Sequence, residues 1–147
     1  HCFPVSAIDA DTGSPSVSSS AKRIENYKLQ YDALKAKLRQ FPTKTFVLWT
    51  GAALVQGASS TAQGQRACDF FTWVKTQWDE PGDNIFLWDF FELETEGGLF
   101  LLNSYAASSS DSHPNSGFCQ TVAPYFGRRL VNVIEGRGDS TRLDGKP

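Results

Sequence analysis

The hexapeptide from Ser110 to Asn115 contains the residue types that transfer protons in enzymes. It runs Ser-Asp-Ser-His-Pro-Asn and includes His113, one of two histidines in the chain, two residues after Asp111. Neutral imidazole accepts a proton near pH 7, and a carboxylate that orients the ring makes it an effective base toward a serine hydroxyl. The same residues are also typical of a capped helix start, with proline in the first turn. The hexapeptide alone leaves both interpretations equally open.

Other residues that could bind a ligand lie outside this hexapeptide. Glu92, Glu94 and Glu96 alternate after a predicted strand and could ligate a cation, although a solvated strand end is the favoured interpretation. Exposed aromatic side chains such as Tyr105 or Trp78 could stack on sugars, although aromatic residues at helical spacing belong more often to a core.

The three cysteines, Cys2, Cys68 and Cys119, leave the redox chemistry open. Cys68 and Cys119 fall within predicted helices, where we expect small buried hydrophobic side chains rather than metal ligands. Spacing along the sequence does not decide whether any two of the three form a disulfide.

Composition and charge exclude some classes of function. The length of 147 residues fits one domain, and 40% hydrophobic residues suffice for a packed core. A net charge of -2 provides no basic surface for nucleic acid, and no apolar run approaches the length of a membrane span. The absence of methionine and the abundance of serine, threonine and glycine favour an extracellular or periplasmic location.

The elements that must position the hexapeptide alternate between strands and helices. Unbroken apolar runs predict strands that are covered on both faces, and apolar residues at steps of three and four predict amphipathic helices. In chain order we expect a strand at 2–8, a helix at 21–41, a strand at 45–50, a helix at 61–78, a strand at 84–91 and a helix at 115–135.

This alternation predicts an α/β fold, a three-layer sandwich with a parallel, flavodoxin-like sheet. Ligands bind such sheets beyond the carboxyl ends of the strands. Because a polar loop at 103–112 follows a strand and precedes a helix, we expect Asp111 and His113 at that rim, with the imidazole partly exposed to a groove. Pro124 should break or kink the last helix, and 136–147 should form a loose polar tail.

The element order and the motif from Asp111 to Asn115 resemble the C-terminal two-thirds of an SGNH (GDSL-type) hydrolase. The resemblance covers nearly all of residues 1–135, with Tyr27 to Trp49 similar to the family's helix and third strand. It implies an esterase, lipase or carbohydrate deacetylase that uses a serine nucleophile and needs no cofactor and no metal. His113 would then be the general base, and Asp111 the acid that orients it.

The acid–histidine spacing and the position of the nucleophile depart from the family pattern. The family spacing is Asp-x-x-His, whereas here Asp111 stands two residues before His113. The family nucleophile lies in a Gly-Asp-Ser-type motif after the first strand, whereas Gly138-Asp139-Ser140 follows the last helix, a match that we ascribe to chance.

The oxyanion asparagine of the family is also missing. It is expected just after the third strand, where this chain has Thr50-Gly51-Ala52-Ala53. The backbone amides of Gly51 or Ala52 would have to bind the oxyanion, with Asn115 as a further weak candidate for a substrate contact.

The first central strand of such a sheet is not found in the sequence. It would lie between the strands at 2–8 and 45–50, and without it both would expose hydrophobic edges. We therefore expect a domain that is incomplete at its N-terminus and is completed by a missing N-terminal segment or another polypeptide. The 147 residues alone should be inactive, because His113 has no serine to activate.

The first hypothesis is that this chain is part of a serine ester hydrolase acting on acylated carbohydrate. Two other classes of function remain open. A catalytically inactive SGNH-like binding or structural protein at the cell surface would explain the missing nucleophile. Copper polysaccharide oxygenases bind metal through an N-terminal histidine and one further histidine, a count that His1 and His113 fit. Those oxygenases are β-sandwiches, however, and the helical patterns here disfavour that fold.

Overall fold

A computed structural model describes residues 7–147 as helices alternating with short strands. Shorter turns complete the backbone: 3-10 helices at Gln56–Ala58 and Gly138–Ser140, and a π-helical segment at Val74–Trp78 that continues the second helix. The main elements are α1 (Ile24–Leu38), β1 (Phe46–Trp49), α2 (Thr61–Trp73), β2 (Ile85–Trp88), α3 (Phe90–Thr95), β3 (Ala106–Ser108), β4 (Asp111–Pro114) and α4 (Ser116–Ile134).

Strands β1 and β2 form a parallel pair, in register from Phe46 opposite Ile85 to Trp49 opposite Trp88. The mixed helix and strand content with a parallel pair agrees with the predicted α/β class. Within residues 7–147 this sheet has two strands, so the three-layer flavodoxin-like sandwich remains a prediction. The strand expected at 2–8 falls almost entirely outside the described residues.

Helices pack on both faces of the parallel pair, which explains why its strands are unbroken apolar runs. Alternate side chains of a strand point to opposite faces. Leu48, Ile85 and Leu87 enter a cluster with residues of α1 and α2, including Tyr27 and Phe70. On the other face, Val47 and Trp88 pack with Phe118 and Val122 of α4. Each large apolar side chain buried in this way stabilises the fold by roughly 1.5–3 kcal/mol.

The second parallel strand is shorter than the predicted strand at 84–91. It ends at Trp88, and the Asp89 side chain then accepts a hydrogen bond from the Glu92 amide and caps α3. The apolar run continues through Phe90 and Phe91, but in a helix. Hydrophobicity alone does not separate a buried strand from a short buried helix, which is why the predicted boundary was wrong.

A polar loop was predicted at 103–112. This prediction is wrong for the second half of the segment, which belongs to an antiparallel hairpin of β3 and β4. Neither strand shows an apolar alternation, so no sequence signal marked them. Contacts with other parts of the chain fix the hairpin instead. The Val55 amide donates to Ser112 Oγ at 3.1 Å, and Asn115 Nδ2 donates to the carbonyl of Ala106 at 3.2 Å.

Helix α4 runs through Pro124, so the predicted break at that residue is wrong. A proline inside a helix leaves the carbonyl four residues earlier without its usual partner. Here that carbonyl belongs to Gln120, an exposed residue whose backbone can bond to water instead.

The segment 136–147 is not the loose tail that its composition predicted. The Asp89 amide donates to the carbonyl of Leu143 at 3.0 Å, and the Trp88 indole donates to that of Asp144 at 3.2 Å. Arg129, buried in α4, donates to the carbonyls of Leu87 at 2.7 Å and Gly138 at 2.5 Å. The segment is therefore fixed against the carboxyl end of β2.

Two broader findings concern the classes of function left open by the sequence. No helix within residues 7–147 combines the length and apolarity needed to cross a membrane. Helices α1, α2 and α4 dominate the fold, which is not the β-sandwich that the copper alternative requires. The N-terminal histidine of that alternative, His1, lies outside the described residues.

Candidate active site

Asp111 and His113 are brought together by the two-residue period of strand β4, which places both side chains on one face. The imidazole Nδ1 lies 2.6 Å from Asp111 Oδ1, which also accepts a hydrogen bond from the His113 backbone amide at 3.0 Å. Because an ionised carboxylate can only accept, the neutral imidazole carries its proton on Nδ1. Its Nε2 lone pair is then free to accept a proton.

Both groups of this pair are accessible to solvent. The side chain of His113 is 90% exposed and that of Asp111 is 50% exposed. Hydrogen bonds from the backbone and then the imidazole of His113 hold the pKa of the Asp111 carboxyl below its usual value. Asp111 is therefore ionised at neutral pH, as a group that orients a catalytic histidine must be.

The pair lies on a groove of about 690 Å³ at the carboxyl end of β1. Trp49, the last residue of β1, forms part of its wall together with Phe90 of α3 and Pro114 of β4. Its volume is in the range of small-molecule sites, and its walls are mainly apolar. The complete lining is Trp49, Ala52, Ala53, Leu54, Phe90, Glu94, Ser110, Asp111, Ser112, His113, Pro114 and Cys119.

The loop after β1 is fixed by hydrogen bonds along most of its length. The Thr50 amide donates to the carbonyl of Trp88 at 3.0 Å, and the Ala53 amide donates to Glu94 Oε2 at 2.7 Å. The carbonyl of Leu54 accepts from the Leu101 amide at 3.0 Å. Of the two expected oxyanion positions, Ala52 lines the groove and Gly51 precedes it in this loop. A loop held in this way can present amides without rearrangement.

Glu94 lines the groove, a position that the sequence did not predict for it. It is fully buried, and its second oxygen, Oε1, has no hydrogen-bond partner within residues 7–147. Burial raises the pKa of this carboxyl to about 8, against a smaller lowering by the Ala53 amide, so it is largely protonated at neutral pH. The favoured interpretation as a solvated strand end is wrong for Glu94. Had 90–95 been assigned to a helix, the spacing of Glu94 from Phe90 and Phe91 would have placed it on their buried face.

Asn115 and Ser110 stabilise local structure. Asn115 Oδ1 accepts from the Phe118 amide at 2.9 Å and caps α4, while its Nδ2 donates to the carbonyls of Ser104 at 2.8 Å and Ala106 at 3.2 Å. Ser110 donates its amide to Ser108 Oγ at 3.3 Å in the hairpin turn. A capped helix start is therefore present beside the acid–histidine pair, but its cap is Asn115, and Pro114 ends β4 rather than lying in the first turn of the helix.

One further expectation needs correction, and two alternatives that the sequence disfavoured find no support within residues 7–147. Cys119 is exposed and lines the groove rather than being buried, whereas Cys68 is half-buried against the core. Trp78, named as a candidate for sugar stacking, is buried in the core. Among residues 7–147 no group of three or more histidine, cysteine or acidic side chains could hold a metal ion, which leaves the cation alternative for Glu92, Glu94 and Glu96 without a site.

No serine within residues 7–147 is hydrogen-bonded to the His113 ring. Ser112 is adjacent in sequence, but it lies on the opposite face of β4 and accepts a hydrogen bond from the Val55 amide. Gly138-Asp139-Ser140 forms a 3-10 turn packed on Phe86, away from the groove lining. The described part of the chain thus contains a hydrogen-bonded acid–histidine pair, without a serine bonded to the imidazole.

Comparisons of the chain with protein-family models, curated proteins and solved structures found no match.

Proposed function

We propose that this chain carries the acid–base pair of a serine ester hydrolase of the SGNH type, acting on acylated carbohydrate. The observation that supports the proposal is the 2.6 Å contact between His113 Nδ1 and Asp111 Oδ1 on a groove at the carboxyl end of a parallel strand. Ligands of α/β sheets bind at this end. The free Nε2 of His113 has the geometry that a general base needs.

In the proposed reaction, His113 Nε2 removes the proton of a serine hydroxyl while the serine oxygen bonds to the ester carbonyl carbon. The resulting imidazolium is stabilised by Asp111 and then protonates the alcohol oxygen as the carbon–oxygen bond breaks. Water, deprotonated by the same histidine, hydrolyses the acyl-enzyme. The backbone amide of Gly51, in the loop after β1, would bind the oxyanion, in place of an asparagine.

We further propose that the serine is supplied by a strand that pairs with the second edge of β1. Within residues 7–147, β1 pairs with a strand on one edge only. Parallel strands end at the same edge of a sheet, so a strand beside β1 would end close to the groove. Such a strand, from a preceding segment or another polypeptide, would complete the three-layer sandwich.

The apolar walls of the groove support an ester whose acyl group lies between Trp49, Phe90 and Pro114. The composition of the chain, without methionine and rich in serine and threonine, supports an extracellular or periplasmic location. Acylated glycans are substrates found in that location.

A binding protein without catalytic activity is the second candidate. The observation in its favour is that His113 is 90% exposed and has no hydroxyl bonded to its ring within residues 7–147. In that case the groove would bind a ligand, and the acid–histidine pair would contribute polar contacts at its edge.

Hydrolysis of p-nitrophenyl acetate and labelling with a fluorophosphonate distinguish these candidates. We expect the 147-residue chain to remain unlabelled and inactive, and a form that includes the serine-bearing strand to be labelled and active. In that form, His113→Ala and Asp111→Asn should each reduce kcat by about 10³- to 10⁴-fold. The first variant removes the base of the serine, and the second removes the carboxylate that keeps the His113 proton on Nδ1.

Activity of the completed form that survives His113→Ala would contradict the proposal. Activity of the 147-residue chain that is lost in His113→Ala would retain the acid–base pair but contradict the external serine. A local serine such as Ser59 would then be the nucleophile, and mass spectrometry of the labelled peptide would locate it.

A further inference from the structure

A second cavity, of about 530 Å³, lies beside the start of α4 and contains none of the groove residues. Its walls combine aromatic rings with groups of both charges. The rings of Tyr105 and Phe118 contact each other there, with centroids 4.7 Å apart and an interplanar angle of 30°, and Tyr125 is half-buried one helical turn after Thr121. The residues that matter for its chemistry are Glu96, Tyr105, Phe118, Tyr125 and Lys146.

Glu96 occupies a backbone position that suits glycine. It has φ 48° and ψ 43° at the C-terminal end of α3, and it is the one non-glycine residue with a positive φ within residues 7–147. Helices that end in this left-handed conformation usually place glycine there, and Gly97 follows directly. The Tyr105 hydroxyl donates a hydrogen bond to Glu96 Oε1. A glutamate at this position therefore has a role that its backbone conformation does not explain.

Several polar groups of the cavity have no hydrogen-bond partner within residues 7–147. The ammonium of Lys146, the hydroxyl of Tyr125 and the second carboxylate oxygen of Glu96 make no hydrogen bond to the described chain. They offer donors and an acceptor beside the tyrosine rings. Such groups in a concave site define the orientation of a ligand.

The charges of the cavity narrow the class of ligand. Aromatic rings beside a carboxylate would suit a quaternary ammonium group, but the positive charge of Lys146 opposes it. The negative charge of Glu96 opposes a simple anion in the same way. A neutral polyhydroxylated ligand meets neither repulsion, because its hydroxyls can donate to Glu96 and accept from Lys146 while its C–H faces pack on the tyrosines. We propose that this cavity, the Tyr105–Tyr125 cavity, is a saccharide-binding site.

Three pairs of residues adjacent in the chain are divided between the Tyr105–Tyr125 cavity and the groove, so the same three segments line both. Saccharide binding itself does not depend on the proposed hydrolase activity, since it uses neither member of the acid–histidine pair. The divided pairs are Leu93 and Glu94, Pro114 and Asn115, and Phe118 and Cys119.

Nuclear magnetic resonance of the 15N-labelled chain tests this site with defined ligands. The chain is titrated with cellotetraose, xylotetraose and chitotetraose up to about 10 mM, with choline chloride and sodium acetate as charged comparisons. We expect at least one tetrasaccharide to shift the amides of Tyr105, Thr121 and Lys146 in a saturable way. The charged comparisons should leave them unchanged, and His113→Ala should bind as the unmodified chain does.

Variants of Glu96 separate binding from folding. Glu96→Gly removes the carboxylate and relieves the left-handed backbone, so it should weaken saccharide binding at least about tenfold while the Tm stays equal or rises. Glu96→Gln keeps an acceptor for Tyr105 and should also weaken binding. Glu92→Gln, which removes a charge from the same helix outside the cavity, should not.

Three results would overturn the saccharide site. They are the absence of saturable shifts with all three tetrasaccharides, shifts confined to residues outside the cavity, and unchanged affinity in both Glu96 variants. Saturable binding of choline at these residues would assign the cavity to ammonium ligands and would also contradict the proposal. Since His113→Ala is measured in parallel, loss of ester hydrolysis and loss of saccharide binding remain separate outcomes.

Discussion

At the scale of single residues, the groove depends on a carboxyl group that is buried and largely neutral. Glu94 accepts a hydrogen bond from the Ala53 amide and so fixes the loop that carries Ala52. Its other oxygen has no partner within residues 7–147. A charge at this position would be costly because nothing nearby compensates for the lost hydration. The protonation of Glu94 is therefore coupled to the stability of the fold.

Glu94→Gln is expected to change how stability varies with pH. The pKa of Glu94 is about 8 in the folded chain and near 4.5 in the unfolded one, so the folded state binds an extra proton between these values. The resulting stabilisation is complete at low pH and is lost as pH rises toward 8, at most by about 1.4 kcal/mol per pH unit. Glutamine stays neutral, so the variant should lack this decline.

Urea unfolding at several pH values from about 5 to 9 measures this difference. Asp79 contributes a decline of the same sign, because burial and then Asp83 raise its pKa to about 6, but it is present in both proteins. The difference between variant and unmodified chain therefore isolates Glu94, and Glu92→Gln controls for the loss of one charge. If the free energy of unfolding of Glu94→Gln varied with pH in the same way as that of the unmodified chain, Glu94 would be ionised in the folded state.

At the scale of elements, Asn115 joins the hairpin to helix α4. Replacing it with alanine removes the helix cap and the two hydrogen bonds from Nδ2, one to Ala106 in the hairpin and one to Ser104 just before it, so we expect a loss of about 2 kcal/mol. Ser60→Ala, which removes the cap of α2 without touching the hairpin, should cost about 1 kcal/mol. Faster hydrogen exchange of the β4 amides in Asn115→Ala alone would locate the effect, and equal exchange in both variants would contradict it.

The elements also show what the sequence could predict. Packing on both faces of the strand pair accounts for the apolar runs of β1 and β2, and amphipathic spacing marked α1, α2 and α4. The hairpin could not be predicted, because its strands are held by the Val55 amide and by the side chains of Ser112 and Asn115 rather than by their own hydrophobicity. The Asp111–His113 pair was found because both residues are close in sequence, whereas Glu94 reaches the groove only through the tertiary fold.

At the scale of the whole molecule, Gly145 holds the C-terminal segment against α4. Its φ is 70°, and a Cβ at this position would overlap with the carbonyl of Tyr125. We expect Gly145→Ala to cost about 2–4 kcal/mol, because it combines left-handed strain with a backbone clash. Gly136→Ala, with φ 75° and open space around its Cβ, should cost only about 1 kcal/mol. Equal losses in thermal unfolding would exclude the clash as a cause.

The C-terminal segment also determines when hydrogen bonds at the end of β2 can form during translation. The Asp89 amide and the Trp88 indole obtain their partners from Leu143 and Asp144, which are translated 54 and 56 residues later (143 − 89 and 144 − 88). At about 5–20 residues per second, that interval lasts roughly 3–11 seconds. During it, the nascent chain has the sequence of both parallel strands but not the segment that bonds to the end of β2, beside the groove. The carboxyl rim is therefore completed late in translation.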